Sequence, residues 1–465
     1  MNRERFAWTT AALFICALAF RLPGTFAQRD DDYAFVRTLV DVERQVAANY
    51  VDPVDGAQLR QAAIDGMLAN LDPYSIYVPP AQQEQFDRML EGSFTGVGIL
   101  INEREDGAVE VVSPVEGSPA FKAGVMAGDV ILKVNGESVQ NLRVVDVTKR
   151  ITGKVGTDVK LTVRHTTGEE VELTMTRQEI RVPTVKGHRR RLADDTWDYF
   201  VTNDPKIAYV RITQFTNETF TDFERAIRQA LAEGAKGVIL DLRFNPGGLL
   251  DQAKLVVDLF VEEGVIVSTK GRNRTEETLR ATSEGTLENF PMVVLVNEHS
   301  ASAAEIVAGA LKDHARATVI GMRTYGKGSV QELIPLDDRG GELKLTTAYY
   351  YLPSGRLVHR KKDATDWGVE PQIKIDLDDE TDRLVERGLD DAELFHRRTA
   401  TQPATRPATN AAAAATQNVD LQLETAVTTL VGQIVLRDQT PTTAMAATQP
   451  TTAAATVPAT TAPVK

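Results

Sequence analysis

Cysteine is all but absent: Cys16 is the only one in the chain. It lies inside an apolar N-terminal run, Phe6–Phe20, behind Arg3 and Arg5. Removal of that segment would leave no disulfide, no cysteine-ligated metal and no thiol nucleophile. Leu13-Phe14-Ile15, just before Cys16, lack the small residue of a lipoprotein signal. Positive charge is also scarce. Against 65 Asp and Glu there are 52 Lys and Arg, a net charge of −13. That balance excludes a broad surface for nucleic acid or anionic membrane, both of which are themselves negative. The apolar run of 15 residues is shorter than the roughly 20 needed to span a bilayer. With Thr25-Phe26-Ala27 as a small-residue cleavage site, residues 1–27 are expected to be a signal peptide. The chain is then exported, to the periplasm or the outer face of the cytoplasmic membrane, with an uncleaved membrane anchor as the alternative.

What the chain does contain changes character along its length. Phe35, Leu39, Val42 and Val46 recur at helical spacing, and a second helical stretch, "LRQAAIDGMLANL", follows the break "DPVDG". A helical segment is expected over 28–86, closed by the prolines of "LDPYSIYVPP". Residues 87–177 alternate short β-branched runs with Gly, Asn and Asp turns, as in a small β-rich module. Over 178–398, strands such as "GVILDLR" and "PMVVLVN" alternate with helices, which predicts a layered α/β core. Residues 399–465 are rich in Ala, Thr and Pro and are expected to be disordered, apart from one helix at about 418–437.

The stretch "GMRTYGKGSVQ", Gly321–Gln331, comes within one residue of the phosphate-binding loop pattern. Gly328, however, stands where that loop needs Ser or Thr for magnesium. The following "SVQELIP" alternates like a strand, so no helix N-terminus faces a phosphate. Lys327 then becomes a candidate base, since burial disfavours its charged form. Gln331, four residues on, lies on the same face and could hold the amine without adding charge. A solvated lysine in a glycine loop is the plain alternative.

Ser302 stands where an apolar strand, "VVLVN", gives way to a helical run. It reads as an N-cap with Glu305 reaching back, a capping box. It reads equally as a nucleophile beside unpaired helix N–H groups that could stabilise an oxyanion. His299 and His314 are nearby as rival bases, but no Gly-x-Ser-x-Gly elbow is present. In "DLRFNPGG", Asp241–Arg243 end a strand, and Pro246-Gly247-Gly248 form a turn whose backbone could approach a ligand.

Together "NEHSASAAEIVAGALKDHARATVIGMRTYGKGSVQ" and "VILDLRFNPGGLL" resemble the core motifs of the carboxyl-terminal processing, or tail-specific, proteases. The resemblance implies a Ser–Lys dyad, with Ser302 as nucleophile, Lys327 as base and Gln331 assisting. It also implies an oxyanion hole from the N–H groups of Ala303 and Gly247. Ala304 departs from the family, which often has a third serine there. "GSFTGVGILI" and "AGVMAGDVILKVNG" resemble the family's PDZ domain, whose edge accepts a substrate C-terminus as an added strand. Gly96, Val97, Gly98 and Ile99 would hold the terminal carboxylate, and Val144 and Val147 would line the side-chain pocket. "VDLQLETAV" resembles the family's C-terminal end.

The expectation is therefore a multidomain α/β protein. It has a crotonase- or ClpP-like layered serine protease core, N-terminal helices and an inserted PDZ domain. It would cleave substrate proteins that have accessible C-terminal tails, through an acyl-enzyme and without metal or organic cofactor. A non-catalytic PDZ scaffold and an esterase-like hydrolase using His299 or His314 are the rivals. A homodimer through the N-terminal helices, and an adaptor protein, are left open.

Overall fold

The computed structural model describes residues 34–104, 106–191, 196–336, 340–393 and 420–439. The expected signal peptide at 1–27 and the low-complexity tracts at 399–419 and 440–465 lie outside them. No helix among the described residues is long and apolar enough to cross a membrane. The chain divides into two compact units. One holds the described residues up to Glu91, Thr269–Glu277 and Ser329–Tyr350, and the other holds the remainder.

In the first unit residues 34–49 are helical, followed by a helix over Gly56–Ala69 capped by the Asp55 carboxylate. The turn "LDPYS" is closed by Asp72, which accepts the N–H groups of Tyr74 and Ser75 at 2.8 Å. A short strand, Ile76–Val78, pairs antiparallel with Glu342–Tyr351, which pairs in turn with Ser329–Pro335. One expectation needs correcting here. The two prolines do not close the helical region, because Pro80 opens a further helix, Pro80–Glu91. Proline is tolerated there since a first-turn N–H has no helical partner to lose.

The second unit contains the β-rich module. Its strands run in the order Ile99–Glu103, Val109–Pro114, Val130–Val134, Asp158–Arg164 and Glu170–Thr176, each pair antiparallel. Val159, Leu161 and Val163 alternate inward, fully buried, as period-two strands require. Ile99–Glu103 is an edge strand, and the helix Val144–Ile151 packs beside it.

The same unit holds the layered core. Its parallel strands are β1 (Lys206–Ile212), β2 (Gly237–Asp241), β3 (Met292–Val296), β4 (Thr318–Gly321) and β5 (Ile373–Lys374), in that spatial order. Helices α1 (Thr219–Ala232), α2 (Leu250–Asp258) and α3 (Ala303–Asp313) follow β1, β2 and β3. Every step moves the same way across the sheet. Right-handed crossovers therefore put α1, α2 and α3 on one face.

The opposite face would be left bare. Ile207, Tyr209, Ile239, Val293, Leu295 and Ile320 point there, and α4 (Leu421–Gln439) covers them with Ala426, Leu430 and Ile434. The three covering residues recur every four positions, one stripe of a helix. The expected late helix is present and has a sheet to cover.

Candidate active site

The site forms at the carboxyl ends of β2 and β3, where an α/β sheet opens its strands into loops. After β3 the chain runs Asn297 to Ser302 before α3 begins. This loop is stitched to the one after β2. The Asn297 carboxamide oxygen accepts the N–H of Phe244 at 2.9 Å, Ser300 Oγ donates to the Leu242 carbonyl at 2.8 Å, and the Ala301 N–H donates to the Asn245 carbonyl at 2.9 Å. Asn297, Ser300 and Asn245 are fully buried. Short polar side chains suit this position because they can satisfy backbone groups that neither strand nor helix reaches.

The loop forces Ser302 into φ 55°, ψ −115°, a conformation that disfavours any residue with a Cβ. Its side chain stands at the start of α3, where the first N–H groups have no helical partner. The Glu305 arm of the expected capping box forms, with the Ser302 N–H donating to Glu305 Oε2 at 2.8 Å. Glu305 does more than cap. The same Oε2 accepts the Lys327 N–H at 2.8 Å, while Oε1 accepts the Gly326 N–H at 2.7 Å and the Thr324 hydroxyl at 2.5 Å. Burial raises this carboxyl and outweighs the lowering effect of the bonds from Thr324, Gly326, Ser302 and Lys327, leaving it at about 7.

The turn carrying Lys327 is itself tightly held. Gly326 lies at φ 90°, and a Cβ there would meet Trp367 Cδ1 at 2.6 Å. A Cβ on Gly328 would meet the His359 nitrogen at 2.3 Å. Two glycines are therefore needed for the backbone to pass, and they leave Lys327 half-buried between them. The strand expected after the turn is present as Ser329–Pro335, as the rejection of the phosphate loop requires. Gln331 lies on that strand, in the other unit, with its Nε2 donating to Ser329 Oγ at 2.7 Å.

The Pro246-Gly247-Gly248 turn reaches Ser302 directly. A Cβ on Gly247 would lie 2.7 Å from Ser302 Cβ, 2.8 Å from the Ala301 carbonyl oxygen and 2.9 Å from the Ala303 nitrogen. The Gly247 N–H, however, already donates to Asn245 Oδ1 at 2.8 Å. Among the described residues, the N–H groups of Gly248 and Ala303 have no such acceptor.

Neither histidine is bonded to Ser302. His299 is half-exposed, stacks on Phe244 and lies 3.6 Å from Asp382. His314 ends α3, about 18 Å along the helix axis from Ser302, and its Nε2 pairs with the Val265 carbonyl.

Beneath the turn, Arg243 is fully buried. It forks onto Asp241, with Nη2 to Oδ2 at 2.6 Å, and meets Asp420 at 2.7 and 2.9 Å. The Tyr209 hydroxyl donates to Asp241 Oδ2 at 2.8 Å. Sequence reasoning gave Asp241 and Arg243 only a strand end, and did not single out Asp420.

In the β-rich module Gly98 takes φ 77° and its carbonyl accepts the Val115 N–H and the Ser118 hydroxyl. Val97 is buried, while Ile99 starts the edge strand and is half-buried. Gly96 ends the short strand Ser93–Gly96, which pairs with Gln178–Arg181. Val144 is half-buried at the rim of the module's core, whereas Val147 is wholly inside it. Of the two, Val144 has surface to offer a ligand in this conformation.

Residues 206–375 match the pattern of peptidase family S41, and residues 88–164 that of the PDZ domain. The chain is 40% identical over 342 residues to a carboxy-terminal-processing protease of Bartonella bacilliformis, spanning 72% of this chain and 74% of the relative. It is 38% identical over 337 residues to the carboxy-terminal processing protease CtpA of Bacillus subtilis, spanning 72% and 68%. Among solved structures it is similar to a photosystem II D1 C-terminal processing protease, at 29% identity and a TM-score of 0.42, over 73% of this chain and 92% of that one.

Proposed function

This chain belongs to the carboxy-terminal-processing proteases, serine peptidases of family S41 with a PDZ domain, and on that premise we propose that Ser302 and Lys327 form its catalytic dyad. Ser302 Oγ attacks the scissile carbonyl while the neutral Lys327 amine takes its proton. The acyl-enzyme then forms as the leaving amine departs with a proton, and water releases the acyl group. The observation that carries this reading is the shared carboxylate oxygen: Glu305 Oε2 holds the N–H of Ser302 and that of Lys327, each at 2.8 Å. The strained Ser302 backbone supports it as well, since strain of this kind collects at reactive positions.

The oxyanion is assigned to the N–H groups of Ala303 and Gly248. Gly248 takes the place expected of Gly247, whose N–H is committed to Asn245. Gln331 keeps the assisting role that the resemblance gives it. Substrate tails are taken to add to the edge strand Ile99–Glu103, with their carboxylate at Gly96–Ile99 and a side chain near Val144. Export is part of the reading, supported by the basic and apolar residues before Ala27. Pairing of two copies through residues 34–49 is supported by exposed Phe35, Val36 and Val42.

The test compares wild type with Ser302→Ala and Lys327→Ala on a loosely folded substrate, with and without its last few residues. Each variant should lose cleavage while still binding the intact tail. Full cleavage by either would overturn the dyad. Binding without cleavage by the wild type would leave a PDZ scaffold.

A further inference from the structure

The right-handed crossovers leave one face of the core sheet for α4, which arrives across a stretch of Ala, Thr and Pro and covers it beside Leu389 of the helix Asp379–Asp391. At the first residue before α4, Asp420 meets Arg243 with both carboxylate oxygens, at 2.7 and 2.9 Å. Gln422 adds an acceptor to Arg243 Nη1 at 3.3 Å and donates to the Ile375 carbonyl at 3.0 Å. Arg243 is two residues before Asn245. Asn245 in turn binds the Ile212 carbonyl, the Gly247 N–H and the Ala301 N–H. The bonds that Asp420 makes to Arg243 and those that Asn245 makes to the turn beside Ser302 are thus joined by only two residues of chain.

We propose that Asp420–Gln439 is a clasp belonging to the catalytic core, and that Asp420 is a positioning residue that holds the oxyanion turn through Arg243. Asp420 has two tasks that chemistry can separate. It caps α4, accepting the Leu423 N–H at 2.9 Å, and it neutralises a buried guanidinium. Burial alone would raise the Asp420 carboxyl; Arg243 and the Leu423 N–H more than offset this and hold it below its ordinary value. Asparagine caps a helix as well as aspartate does but carries no charge for Arg243.

The effect on turnover rests on the peptidase reading, so the test has one arm that does not use activity. In the full-length chain, Asp420→Asn should lower kcat by about tenfold to a hundredfold with KM within about twofold, because the change displaces the turn rather than the substrate. Asp420→Glu should restore part of kcat. In the second arm, a site for a specific protease is placed between residues 399 and 419 and cut after folding. The piece carrying α4 should then co-elute with the rest of the chain and be released more readily when it carries Asp420→Asn. A folded Asp420→Asn enzyme with wild-type kcat would overturn the positioning role. Loss of the cut piece from the wild type, with the remainder intact by circular dichroism, would overturn the clasp. If no variant cleaves anything but the cut piece stays bound, the peptidase reading fails and the clasp stands.

Discussion

Ser302 and Lys327 donate their backbone N–H groups to the same oxygen, Glu305 Oε2, each at 2.8 Å. The two segments that carry them are therefore registered through one buried carboxylate. Glu305→Gln keeps the shape but turns half of the carboxylate into a donor, which must face N–H groups. Loss of about 1–3 kcal/mol of buried hydrogen bonding is expected in denaturant melts. A fall of about a hundredfold in kcat is expected from the misplaced Lys327 turn. An unchanged kcat would mean that the turn is held by its glycines alone.

The same carboxyl sets a pH dependence with a definite sign. Burial lifts it from 4.5 to about 7 in the folded chain. The folded state therefore holds a proton that the unfolded state has lost between these values. The stability this contributes is complete below about 4.5 and is lost as pH rises through about 7. The contribution is on the order of 3 kcal/mol, at about 1.4 kcal/mol per unit. Wild type should accordingly lose more stability between pH 5 and pH 8 than Glu305→Gln does. Parallel pH profiles for the two proteins would contradict it.

How much of this was legible in the sequence depends on how far apart the partners lie. The alternation of Val238–Leu240 and Val293–Leu295 with helical runs showed the layered core, and the glycine pair around Lys327 marked a constrained turn. Glu305 was visible only as a cap, because a capping box is local and its other three donors come from Thr324, Gly326 and Lys327. Asp420 was hidden for the same reason. Nothing near it in the chain marks a partner at Arg243, which the fold brings from the end of a strand. Pro80 misled because proline breaks a helix interior yet suits a first turn. The strain at Ser302 follows from bonds between two loops, and no local pattern encodes it.

Gly247 and Ser302 are packed too closely for any side chain between them. Gly247→Ala would put its Cβ 2.7 Å from Ser302 Cβ and 2.8 Å from a carbonyl oxygen, on a backbone at φ 98°. Since one of those contacts is backbone, the loops themselves must part. Activity should fall by about a hundredfold or more, with destabilisation of about 1–3 kcal/mol. Gly285→Ala is the control, because φ is again positive at 79° but nothing lies within 4 Å. It should show the backbone cost of about 1 kcal/mol and keep full activity. Equal kinetics in the two variants would show that the contact with Ser302 is dispensable.

The conformation of Ser302, the proposed nucleophile, carries a cost that can be separated from its chemistry. At φ 55° and ψ −115°, Ser302 occupies backbone space that glycine enters freely and other residues enter only under strain of about 1–3 kcal/mol. Ser302→Ala keeps the Cβ and the strain. Ser302→Gly removes both, at an entropic cost of up to about 1 kcal/mol in the unfolded chain. Both variants should be inactive, but the glycine variant should be the more stable, by about 1 kcal/mol in chemical denaturation. Release of strain by deleting the side chain would mean that the fold spends stability to hold this hydroxyl in place. If the alanine variant proves the more stable, the loops on either side impose no strain on Ser302, and its unusual backbone angles cannot be counted in favour of catalysis.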